Sequence, residues 1–225
     1  MPDPKGNLLP VYVLADESYS LFDHAQELNH GLVSLCDALR AEPMIAAKVR
    51  LSILGFSDDV EVRLALADLR DVENLPSLRI RNNTNYQAVF KDLLTRIPHD
   101  VDMLKTSDYL VHRPAVFFLS DGQPNDDSDW LEPRERLIDK TITPAAPNIV
   151  AFGIGDVMAE TILQVATDEK FAFVAMPDTN IGNAIAKFFV ALTHSIVQSG
   201  RSLTSPNPEL VVEKPEGFRM AIDIV

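Results

Sequence analysis

The sequence predicts an α/β fold of the doubly wound kind: a mostly parallel six-stranded sheet with one antiparallel edge strand and helices on both faces. Three observations predict it. Short, near-continuous apolar runs recur along the 225 residues, as in strands buried on both faces. Stretches with apolar residues at helical spacing separate most of these runs, which calls for crossover connections and parallel strands. Polar residues follow directly after several of the runs, where open α/β sheets place their ligands.

Residues 9–15, Leu-Pro-Val-Tyr-Val-Leu-Ala, read as the first strand. Phe22, Ala25, Leu28, Leu32, Leu35, Cys36 and Leu39 then recur on one helical face, and Pro43 bounds that helix. Residues 49–56 form a second strand, and residues 60–66 a third across Ser57-Asp58-Asp59, a turn that implies an antiparallel hairpin. Ala88, Val89, Leu93, Leu94 and Ile97 mark a helix that Pro98 is expected to end. Residues 115–119 and 148–154 are two more buried strands, residues 159–166 a short helix and residues 171–175 a last strand. Ile181, Ala184, Ile185, Phe188, Phe189, Leu192 and Ile196 give a long closing helix. From Ser199 the composition turns to Ser, Gly, Pro and Asn, so residues 1–198 are read as one domain and residues 199–225 as a linker or extension. Its short apolar run, Leu210-Val211-Val212, offers a patch that can pack on the core.

Charge narrows the partners. With 33 acidic against 20 basic residues the formal net charge is −13, which repels phosphate backbones and anionic membranes. Neither nucleic acid nor a membrane is expected as a partner. No apolar run approaches the length that crosses a bilayer. The first residues lack the basic segment and long apolar stretch of an export signal, and Cys36, the single cysteine, cannot make an internal disulfide. A cytoplasmic location is expected, with Cys36 as a buried, inert thiol on a helix face.

Three loops carry the chemistry. The first strand runs into Asp16-Glu17-Ser18-Tyr19-Ser20, the 115–119 strand into Asp121-Gly122, and Asn82-Asn83-Thr84-Asn85 introduces a helix. Carboxylate and hydroxyl oxygens are hard ligands suited to magnesium, manganese or calcium, and no cysteine or histidine cluster favours zinc. Three hydroxyls with two carboxylates that bind partly through water leave such an ion incompletely neutralised and short of six donors. It would accept one further anionic ligand.

Taken together, Asp16-x-Ser18-x-Ser20 after a buried strand, Thr84 opening a later helix and Asp121-Gly122 after another buried strand resemble the metal-ion-dependent adhesion site of von Willebrand factor type A domains. The resemblance covers residues 9–199. It implies the family's Rossmann-like fold, a divalent cation held by Asp16, Ser18, Ser20, Thr84 and Asp121 directly or through water, and a partner protein whose Asp or Glu completes the shell. Magnesium is the expected ion, with manganese or calcium as alternatives. Many relatives carry Gly-Gly where this chain has Asn82-Asn83, and asparagine is the non-glycine residue that best tolerates a left-handed backbone. Within the family the chain looks most like the intracellular bacterial type associated with tellurite resistance and stress response. A non-enzymatic binding module follows from that resemblance.

Plainer readings exist for each residue. Asp16 can cap a turn, and Ser18, Ser20 and Thr84 can be helix N-caps. Capping gives no reason for a second Asp after another buried strand. An enzymatic alternative makes Asp16 the phosphoacceptor of a metal-assisted phosphotransferase or phosphatase, with Asp121 steadying the ion. It lacks a basic residue within residues 16–20 or 120–129 to meet a phosphate. The acidic run at residues 121–129 lacks EF-hand spacing and is read as a solvated loop. Gly153-Ile154-Gly155 is read as a strand-ending turn, because Met158 stands where a dinucleotide loop needs its third glycine. His24, His30, His99, His112 and His194 are scattered and read as surface or packing residues.

Overall fold

The structure is a computed structural model of the chain, and it describes residues 4–124 and 129–223. Its sheet contains the strands β1 (Asn7–Asp16), β2 (Val49–Phe56), β3 (Val60–Ala67), β4 (Leu110–Val111), β5 (Ala115–Ser120), β6 (Asn148–Gly153), β7 (Ala172–Ala175) and β8 (Phe218–Met220). The helices are α1 (Ala25–Arg40), α2 (Pro43–Ala46), α3 (Tyr86–Thr106), α4 (Leu131–Ile138), α5 (Ala159–Val165) and α6 (Ile181–Ser202).

Spatial order in the sheet is β3-β2-β1-β5-β6-β7-β8, with β4 pairing the start of β1. From β1 the chain builds outward through β2 and β3, then returns to add β5 on the other flank. Strand order therefore reverses between β1 and β5, and Asp16 and Asp121 stand at and just past their carboxyl ends. The central pairs are parallel and two edges are antiparallel, β3 on β2 and β8 on β7. Among the described residues, eight strands and two antiparallel edges replace the expected six and one.

Strand alternation explains the layers. Val11, Val13 and Ala15 of β1 face a core shared with Leu28, Leu32 and Leu35 of α1 and Phe188 and Leu192 of α6. Tyr12 and Leu14 face the opposite core, with Phe90 and Leu93 of α3 and Ile162 of α5. β5 repeats the pattern, Phe117 on the first face and Phe118 on the second. Both β1 and β5 are buried on both sides, as their apolar runs require.

Several boundaries depart from expectation. The Pro98 boundary is corrected: α3 continues to Thr106 with Pro98 inside it. The proline removes one backbone donor, but Ile97 and Val101 on either side are buried, and that packing holds the helix on the sheet. Phe22 is not on the core face of α1. It lies in a 3-10 turn, Tyr19–His24, that precedes the helix, and its ring is exposed. α6 runs on to Ser202, past residue 198, and β8 then completes the sheet edge with Phe218 buried. Between them Val211 donates its N–H to Ser199 Oγ at 2.9 Å, and Leu210 and Val212 pack on the α1/α6 core. Cys36 is buried, and burial pushes its thiol up to about 11. Gly155, with φ +64°, makes the turn after β6. Within the acidic run, residues 125–128 lie outside the described residues. No helix among the described residues is long and apolar enough to cross a membrane.

Candidate metal centre at the strand-order reversal

Asp16 ends β1 and is fully buried. Its Oδ1 accepts the Ser18 N–H at 2.9 Å, folding the loop back over the strand end, and its Oδ2 accepts the Ser120 hydroxyl at 2.5 Å. Ser120 closes β5 one step beyond the paired Ala15 and Leu119, so strand register alone sets it beside Asp16. Asp121, the next residue, turns its Oδ1 to the Ser20 hydroxyl at 2.8 Å and the Ser18 hydroxyl at 3.4 Å. The two serine hydroxyls are 2.9 Å apart. Thr84 is buried beside Gly122, where an added Cβ would stand 3.1 Å from Thr84 Oγ1. All five sequence-selected residues thus meet at one end of the sheet.

The capping alternatives are resolved by the local hydrogen bonds. Ser18 precedes the 3-10 turn but its side chain makes no capping bond; its hydroxyl faces Ser20 and Asp121 instead. Asn85, not Thr84, caps α3, its Oδ1 accepting the Ala88 N–H at 3.0 Å. Only Asp16 does a turn residue's work, through one of its two oxygens.

The Thr84 loop forms with Asn82-Asn83 and without left-handed asparagines. Asp108 alone among the described non-glycine residues has positive φ. Ser57 Oγ donates to Asn83 O at 2.8 Å and accepts Asn82 N–H at 3.0 Å, while both asparagine amides donate to the Asp58 carboxylate. Tyr19 N–H meets Asn82 O at 3.0 Å, which joins this loop to the first.

Glu17, an unspecified position of the motif, proves to be a second fixing point. Its buried carboxylate takes Arg63 Nε at 2.8 Å and Nη2 at 2.7 Å, Arg81 Nε at 3.0 Å, and the Arg79 N–H at 2.8 Å. Arg81 also pairs with Asp59. The bidentate fork and the backbone bond tie β1, β3 and the Thr84 loop together. Gly55 of β2 leaves the space, because a side chain there would overlap the Glu17 carboxylate. Ser120, Arg63 and Arg81 were not singled out in the sequence. A charged residue directly after a strand buried on both faces was the available signal for Glu17.

Electrostatically the centre is short of positive charge. Burial, partly offset by the Ser120 hydroxyl, raises Asp16 from 3.8 to about 7, and the neighbouring Asp121 adds to the rise. Burial likewise raises Asp121, against its bonds from Ser20 and Ser18. Five side-chain oxygens, two of them on buried carboxylates, fit a hard divalent cation. Among the described residues no group of three or more His, Cys, Asp and Glu offers an alternative metal site.

Solved structures share this architecture. The pilus adhesin SpaC from Lactobacillus rhamnosus GG, in its open conformation, matches at 10% identity over 87% of this chain and 31% of its own, with TM-score 0.63. Proximal thread matrix protein 1 from the mussel byssus, with a zinc-occupied MIDAS motif, matches at 14% identity over 87% of this chain and 49% of its own, TM-score 0.60. A von Willebrand factor type A structure from Catenulispora acidiphila matches at 12% identity over 85% and 43%, TM-score 0.53.

The chain has the von Willebrand factor type A fold.

It spans less than half the length of these neighbours. No protein-family model and no curated protein matches the sequence. In this von Willebrand type A fold the sequence-selected oxygens occupy the strand-order reversal, the position where doubly wound sheets bind ligands.

Proposed function

We propose that the chain is a non-enzymatic, metal-dependent binding module. Ser18, Ser20, Thr84 and Asp121 hold a divalent cation, Asp16 acts directly or through water, and an Asp or Glu of a partner protein completes the shell. One observation carries the reading: Ser20 and Asp121, 101 residues apart in sequence, meet at 2.8 Å with the Ser18 hydroxyl beside them. Oxygen-only donors favour magnesium, then manganese or calcium. Zinc belongs in the test because the byssus protein's MIDAS motif is zinc-occupied. An intracellular bacterial setting, in stress response or tellurite resistance, is part of the proposal and rests on the sequence resemblance and the one buried thiol.

The phosphotransfer alternative draws less support. Asp16 is fully buried with both oxygens engaged, and the guanidinium groups of Arg63 and Arg81 are taken up by Glu17. Isothermal titration of the purified chain with magnesium, manganese, calcium and zinc tests the proposal. One ion is expected to bind, and Asp121→Ala to abolish uptake. Absence of heat and of any thermal shift with all four metals refutes it. Acetyl phosphate or a generic phosphoester turned over by the chain, or label on Asp16, would instead establish the enzyme.

A further inference from the structure

Exposed apolar side chains at one end of the sheet point to the kind of ligand the candidate centre takes. Tyr19 and Phe22 are 67% and 60% exposed, and their rings stack with centroids 5.6 Å apart at 25°. Isolated exposed apolar residues are ordinary. These two differ in being paired, in lying within and just after the Ser18–Ser20 turn, and in being held. The backbone beneath them is pinned by Tyr19 N–H on Asn82 O at 3.0 Å and Leu21 N–H on Ser18 O at 3.1 Å, and by the fully buried Leu21 side chain. Met158 and Met176, in the loops after β6 and β7 at the same end of the sheet, are 58% and 46% exposed. A rigid aromatic pair loses little conformational entropy when it docks, and methionine adapts to what it meets.

The surrounding charge sets a further condition. Asp23, Asp58, Asp156 and Asp178 are exposed in the loops at this end, on a chain of net charge −13. A segment rich in acids would be repelled over the Debye length. A single carboxylate, delivered to a cation and flanked by apolar surface, would not.

We infer that the Tyr19/Phe22 pair is the specificity surface of the candidate metal centre, and that its ligand is a protein segment presenting one Asp or Glu beside an aromatic or long aliphatic side chain. The inference rests on the metal-dependent reading above and names the partner class for that site. The chain is immobilised with magnesium, panned against phage displaying random linear dodecapeptides, and eluted with EDTA. EDTA-eluted peptides are expected to carry a lone carboxylate within two positions of Phe, Tyr, Trp, Leu or Met. The double variant Tyr19→Ser/Phe22→Ser is expected to retain those phage at least tenfold less well, with its urea midpoint and its magnesium uptake unchanged. Eluted peptides with carboxylates but no apolar neighbour, enrichment of acidic runs, or equal retention by the variant overturns the inference and leaves the metal reading standing. Failure to elute any peptide from a chain that does take up magnesium overturns it as well. A chain that takes up no metal removes the reading beneath it, and the inference with it.

Discussion

Replacing Gly55 by alanine adds one methyl group where the structure has no room for it. That Cβ would lie inside the van der Waals envelope of the carboxylate carbon and both oxygens of Glu17. Regaining ordinary contact of ~3.5 Å would require a withdrawal of about 1 Å. Glu17 is fully buried and held by Arg63 at 2.7 and 2.8 Å, Arg81 at 3.0 Å and Arg79 N–H at 2.8 Å, so a shift of that size takes several of these bonds beyond bonding range. Overpacking costs about 1–3 kcal/mol, and weakening charge-assisted bonds inside a buried pair adds a comparable amount. The expected loss is about 3–5 kcal/mol, a large share of a domain's ~5–15 kcal/mol. Urea unfolding in EDTA measures it without metal linkage. A double-mutant cycle isolates the cause: in a Glu17→Ala background the same methyl has space, and Gly55→Ala should cost about 1 kcal/mol or less. A loss below about 1 kcal/mol in the native background, or equal losses in both backgrounds, would show that Glu17 does not set the limit at this position.

Thr84→Val keeps the shape of the side chain and removes its oxygen. Because Asn85 caps α3, stability in EDTA should change by less than about 1 kcal/mol while magnesium affinity falls about tenfold or more. Asn85→Ala should cost about 1 kcal/mol through loss of the cap; denaturation and calorimetry on the two variants separate the roles. Magnesium binding should also depend on pH. Asp16 is raised from 3.8 to about 7 in the metal-free chain, so protonated Asp16 is the form the metal-free fold favours. That preference is fully present below the unfolded value and is lost as pH rises through the folded value. The metal-free chain should therefore lose stability between about pH 4 and 7, and a cation, which requires the ionised form, should restore it. The thermal shift on adding magnesium should be larger at pH 8 than at pH 5.5, and Asp16→Asn should weaken the metal-free pH dependence, leaving the part due to Asp121, which burial also raises; equal shifts at both pH values would contradict the assignment.

The parts of the fold that sequence reveals are those whose physics is local and repetitive. β1, β2, β5 and β6 are buried on both faces, and strands so placed are apolar at most positions, which leaves near-continuous runs. β8 has only Phe218, Arg219 and Met220, too short for any period, and its partner lies some 45 residues earlier on β7. Pro98 shows the reverse failure, a strong local signal outweighed by the burial of Ile97 and Val101 on the helix it interrupts. Phe22 matched a helical spacing but fell in the 3-10 turn before α1, where the turn of the backbone points it outward.

At the candidate site the oxygen donors were legible because each follows a strand or opens a helix, and strand ends are found from the strands. What holds them was not legible. Glu17 reaches Arg63 and Arg81 across 46 and 64 residues, and nothing near any of the three in sequence announces the pairing. Their arrangement nonetheless bears directly on the proposed ion. Three carboxylates gather at the ends of β1 and β5, and the only guanidinium groups brought to them among the described residues are bound to one, Glu17. Asp16 and Asp121 are left with hydroxyl and backbone donors, and burial raises both. Hydroxyls can donate to a carboxylate but cannot neutralise it, so ionising both at neutral pH without a counter-charge is unfavourable. A divalent cation removes that cost at one stroke, since its charge equals theirs and the hydroxyls that cannot cancel a charge can serve as its ligands.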